Sequence, residues 1–151
     1  MQAALLRQLQ ARRFSIRARW EALLHAEPVA TPLGLPDALV HLIESTLEEV
    51  LATLDRPSPR EPQAAGPPSC PCGRNPLLAY YAAAEQAMRE GLILAQAASA
   101  PLDPVVRDAS LAELNAVLRQ ISRREIEAFC GVCQFREKVG HPLLLAEAQH
   151  G

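Results

Sequence analysis

Residues 70–81 read Cys70-Pro71-Cys72-Gly73-Arg74-Asn75-Pro76-Leu77-Leu78-Ala79-Tyr80-Tyr81. Within these twelve positions a proline-rich segment stops and a helix starts. Asn75 offers a side-chain acceptor to the free N–H groups of a first helical turn, and Pro76 suits the first helical position, where a missing N–H costs nothing. Beyond it Leu77, Tyr81, Ala84, Met88, Leu92 and Ala95 recur at helical spacing, which predicts a helix over 76–99. Upstream, Pro57, Pro59, Pro62, Pro67 and Pro68 with Gly66 exclude regular structure. Residues 55–69 therefore read as a long loop inside a compact domain, a kind of segment that tends to carry function.

Two more helices precede the loop. Over 3–26, Leu5, Leu6, Leu9, Ile16, Trp20, Leu23 and Leu24 fall on one face. Phe14 points away from that face and Arg13 points into it, where it is expected to snorkel at the core edge. Pro28, Pro32 and Gly34 end this helix. The next starts at Pro36, with Asp37 at its positive end. Leu39, Val40, Ile43, Leu47, Val50, Leu51 and Leu54 share its apolar face, and His41 lies on the polar side.

Downstream, Pro101 and Pro104 interrupt, and Asp103 caps a short turn. Ser110-Leu111-Ala112-Glu113 matches a capping box, which predicts a last helix from 111. Leu111, Leu114, Val117, Leu118, Ile121, Ala128, Val132, Phe135 and Val139 carry its apolar face to a stop at Gly140-His141-Pro142, and 143–151 reads as a tail. The expected fold is all-α: a single domain over 1–151, built as a four-helix antiparallel bundle with the long proline-rich loop between helices two and three.

The composition agrees. Hydrophobic residues make up 49% of the 151 and charged ones 21%, which is globular, while 4% aromatics amid many alanines and leucines favours helix over strand. A net charge of −2 gives no field to draw nucleic acid or an anionic membrane. No apolar run reaches the roughly 18 residues of a membrane span. Arg7, Arg12, Arg13, Arg17 and Arg19, with no acid before Glu21, superficially resemble a transit peptide, but the same residues form an amphipathic helix that belongs to the fold. Lys138 is the sole lysine, a bias expected of GC-rich bacterial coding. The expected location is cytoplasmic, where cysteines point to metal or redox use.

There are four cysteines, in the pairs Cys70/Cys72 and Cys130/Cys133. Helices three and four, joined by a short connection, should run antiparallel. Setting Ser99 level with Leu111 pairs residue 76 with about residue 134, which brings both pairs to one end of the bundle. On a helix Cys130 and Cys133 share a face with Ile126, nearly opposite the apolar stripe, so the proline-rich loop is expected to cover them, unless Gly131 breaks the helix there.

Zinc is the expected occupant of Cys70, Cys72, Cys130 and Cys133, since a tetrahedral site takes four thiolates as two close pairs, although C-x-C is shorter than the usual spacing. An iron–sulfur cluster also accepts four cysteinates. A redox dithiol is the other reading, with Cys72 near a helix N-terminus expected to hold a lowered thiolate pKa; simply packed thiols are the plainest. His141 could replace one ligand.

No nucleophile–base constellation stands out among His25, His41, His141 and His150. Glu85 and Glu125 lack the Glu-x-x-His pattern of a di-metal bundle site, because residues 88 and 128 are Met and Ala. Glu125 is expected to pair with Arg13 or another arginine. Arg119, Arg123, Arg124 and Arg136 read as a solvated face. The chain is thus expected to be a non-enzymatic regulatory or protein-interaction module, binding a protein partner or itself, with no nucleic acid and no membrane. The alternative is a thiol-redox or metal-responsive sensor whose loop opens on oxidation or metal loss.

Overall fold

The computed structural model describes residues 1–26, 36–56, 68–99 and 101–132. The described residues are all-helical and contain five helices: α1 Ala3–Ala11, α2 Arg13–Ala26, α3 Pro36–Asp55, α4 Pro76–Ala98 and α5 Pro104–Val132. None of them is long and apolar enough to cross a membrane. The connections over 27–35 and 57–67, Cys133, the helix stop at 140–142 and the tail at 143–151 lie outside the described residues.

Two helix boundaries differ from expectation. The helix foreseen over 3–26 is interrupted at Arg12, where φ is −93° and ψ 7° and the backbone N–H donates to Leu9 O instead of one residue further back. The interruption falls where Arg12 and Arg13 occupy places that a continuous apolar stripe would fill. Buried positions jump from Leu9 to Ile16 across it. Arg13 is left half-buried, and its guanidinium donates to Glu44 and, at 2.8 Å, to Glu48 of α3.

The last helix begins seven residues earlier than the capping box predicts. Asp103 Oδ1 accepts from Val105 N at 2.7 Å, and Pro104 takes the first helical position. Ser110 is then interior to α5. Its Oγ donates to Arg107 O at 2.8 Å and accepts from Gln96 of α4 at 2.9 Å.

The core is one apolar cluster drawn from all five helices. α4 packs on α1, α2 and α5, and α3 packs on the same three. α4 and α5 run antiparallel, since Gln96 meets Ser110 at one end and Asn75 meets Ile126 at the other. α4 buries more than its predicted stripe. Tyr80, Ala87 and Gly91 join Tyr81, Ala84, Met88, Leu92 and Ala95, because the helix faces neighbours on more than one side. Small residues let α2 come close: a Cβ at Gly91 would stand 2.6 Å from Ile16 Cγ1.

A polar chain runs through this core. Trp20 Nε1 donates to Tyr80 O at 3.2 Å, and the Tyr80 hydroxyl donates to Thr46 Oγ1 at 2.9 Å. It ties α2, α4 and α3 together while giving the buried indole and phenol their partners. The Trp20 and Tyr80 rings lie 4.9 Å apart, and Tyr81 meets Tyr80 edge-on at 5.0 Å. Phe14, by contrast, is 82% exposed, as its place off the stripe requires.

Candidate functional site

The approach to α4 is a tight turn. Gly73 N–H donates to Cys70 O at 3.0 Å, closing Cys70-Pro71-Cys72-Gly73. Pro71 holds the second turn position, where its fixed φ is favoured. Gly73 takes φ +64°, a left-handed conformation that costs glycine little, and swings the chain toward Asn75. The turn sets Cys70 Sγ and Cys72 Sγ 3.2 Å apart. Both sulfurs are thiols, as is that of Cys130.

Asn75 locks this turn to α5. Its Oδ1 caps α4 by accepting from Leu77 N at 3.0 Å. Its Nδ2 donates to Ile126 O at 3.2 Å and to Cys130 Sγ at 3.4 Å. The side chain is buried, and all of its polar partners come from the two helices it joins. The N-cap role is legible in the sequence; the second role is not. The signal for it was the residue type, because Ser or Asp would cap equally well but has no amide N–H to donate.

Three of the four cysteines therefore meet where the helix arithmetic expects them. Cys70 and Cys72 come from the turn and Cys130 from α5, near enough for the Cys70 and Cys130 thiols to shift each other's ionisation. Cys133 lies outside the described residues. The helix continues through Gly131 to Val132, so Gly131 does not break it.

The expected outward face of Cys130 is corrected as well. Ile126 is 1% exposed and Cys130 is half-buried, while Ala128 and Val132 face solvent. Each four-residue step turns a helix by about 40° past a full circle. The inward line of α5 thus drifts from Leu114 and Leu118 through Ser122 to Ile126, and Asn75 receives it there.

Electrostatics distinguish the sulfurs. Burial pushes the Cys70 thiol up, but hydrogen bonds from Cys130, from Cys72 and from the backbone N–H groups of Cys72 and Gly73 outweigh it and hold the pKa down at about 7. Donors that converge on one sulfur favour its charged form. Cys130 is raised, first by burial and then by its hydrogen bond with Cys70, against the Asn75 amide.

Glu125 pairs with an arginine, as expected. Arg13 is committed to Glu44 and Glu48, so the partner is Arg124, which also grips Glu49 at 2.8 and 3.0 Å. Glu85 bonds Arg89 one turn on.

Among the described residues no three His, Cys, Asp or Glu side chains are set as ligands of a metal ion. The three thiols are gathered, not arranged as a tetrahedron. Comparison with family models, with curated proteins and with solved structures finds no match. A functional reading of this chain therefore stands on the chemistry of the site alone.

Proposed function

We propose that Cys70, Cys72, Cys130 and Cys133 bind zinc, clamping the turn ahead of α4 to the end of α5. The scaffold is then a four-helix antiparallel bundle, with α1 and α2 as one interrupted rod, serving as a cytoplasmic regulatory or protein-interaction module.

The observation that carries this reading is the meeting of Cys70, Cys72 and Cys130 from two segments distant in sequence. Soft thiolates are the donors zinc takes, and ligands at about 2.3 Å in a tetrahedron stand about 3.8 Å from one another. The 3.2 Å between Cys70 and Cys72 has to open by only about half an ångström to reach that spacing. The Asn75 amide already donates to Cys130, as an outer-shell group donates to a ligating sulfur. An iron–sulfur cluster is the alternative occupant. The partner is a protein or a second copy, since the net charge of −2 offers nucleic acid no field.

Metal analysis of protein purified without chelator, with a visible spectrum taken under anaerobic conditions, tests the reading. One zinc per chain without colour is expected, falling away in Cys72→Ser together with the melting temperature. Brown protein means a cluster instead. Protein that neither carries zinc nor takes it up on reconstitution sinks the proposal, as does Cys72→Ser with unchanged metal content and melting temperature.

A further inference from the structure

We propose that Cys70 and Cys72 form a dithiol–disulfide couple that small-molecule disulfides oxidise, while Cys130 stays reduced. The couple shares sulfurs with the zinc site but does not depend on metal binding.

Three observations carry it. The sulfurs of Cys70 and Cys72 stand 3.2 Å apart, and a disulfide needs about 2.05 Å, a closure of about 1.2 Å that side-chain rotation supplies. Their Cα atoms, two residues apart, lie within about 7 Å of each other by chain geometry, the range a disulfide spans without backbone movement. The turn bond from Gly73 to Cys70 already folds the chain between them. Cys130, in contrast, is fixed on α5 and held by Asn75, so coupling to it draws two anchored elements together.

With Cys70 attacking first, the exchange runs in two displacements. The Cys70 thiolate attacks one sulfur of a disulfide RS–SR, forming Cys70–S–SR and releasing RS⁻. Cys72 then gives its proton to solvent and attacks the Cys70 sulfur. The Cys70–Cys72 bond forms and a second RS⁻ leaves. The protein loses two electrons and the oxidant gains them.

The sequence makes the outcome easy to map. Trypsin leaves Cys70 and Cys72 in one peptide, 61–74, and Cys130 and Cys133 in another, 125–136. Metal-free, full-length protein is incubated with glutathione disulfide, quenched in acid, alkylated and digested. Peptide 61–74 is expected to lack alkylation and to have lost two hydrogen atoms, with Cys130 and Cys133 alkylated. Cys72→Ser is expected to stop at a glutathione adduct on Cys70, and Cys130→Ser to form the Cys70–Cys72 bond as before. A disulfide joining the two peptides overturns the proposal, and so does alkylation of all four thiols after exposure to the oxidant. Because zinc is absent throughout, neither result bears on whether the protein binds metal.

Discussion

Asn75 is the residue on which the site turns. It is buried at the junction of α4, α5 and the cysteine turn, with its oxygen on Leu77 N and its nitrogen shared between Ile126 O and Cys130 Sγ. The two halves of the amide do separable work, and two substitutions separate them. Asn75→Ala loses both: the cap, at about 1 kcal/mol, and the buried link to α5, at a further 1 kcal/mol or so. Asn75→Ser restores an oxygen at the cap but cannot reach Ile126 or Cys130. Denaturant unfolding is expected to rank the proteins wild type, Ser, Ala in falling stability, with Ser recovering about half of the loss. If Ser is no more stable than Ala, Asn75 is not acting as a cap. If Ser matches the wild type, the link to α5 contributes nothing.

At the scale of the helices, α2 comes close against α4 at a glycine. Gly91 faces Ile16, whose Cγ1 and Cδ1 would lie 2.6 and 2.7 Å from an added Cβ. Gly91→Ala gains about 1 kcal/mol of helix propensity yet overpacks a fully buried contact, which costs about 1–3 kcal/mol. A net loss of about 1 kcal/mol is expected, read from the denaturant midpoint. Ile16→Ala removes both Cγ1 and Cδ1, so the double variant should be more stable than the two single losses add up to, by about 0.5 kcal/mol or more. Strict additivity would mean that α2 shifts to absorb the methyl group. These helices were largely legible in the sequence: the stripe of α3 and the Asn75–Pro76 start of α4 follow directly from spacing and capping chemistry. Two boundaries were not, for local reasons. Periodicity alone does not register a single tightened residue such as Arg12. Ser110-Leu111-Ala112-Glu113 satisfies the capping-box pattern, but Asp103-Pro104 provides a start earlier, and the Ser110 hydroxyl is used across the interface by Gln96 instead.

For the whole molecule, the meeting of Cys70 and Cys72 with Cys130 was legible because antiparallel pairing depends only on helix lengths, but its register was off by about a turn. With α5 starting at Pro104, Gln96 lies level with Ser110, and Cys130 comes opposite Asn75. The core network linking three helices was not legible, since nothing in the apolar spacing distinguishes Tyr80 as its centre. That network makes the fold sensitive to alkali. The chain has two tyrosines and both are buried. Burial, the largest cause, pushes Tyr81 up to about 12, with the charges of Glu125 and Glu49 adding to it; Tyr80 is raised further still by its own burial, against its bond to Thr46. An unfolded tyrosine ionises near pH 10. Between about pH 10 and 12 the unfolded chain therefore sheds protons that the folded chain retains, so the tyrosine contribution to stability is complete below pH 10 and is lost as pH rises through that window. Tyrosinate absorbance and far-ultraviolet circular dichroism, followed together up the pH scale, should consequently change in one coincident transition. Tyrosinate signal growing near pH 10 while the helical signal stays intact would show that the phenols are open to solvent, and that the Trp20–Tyr80–Thr46 chain does not hold the core closed.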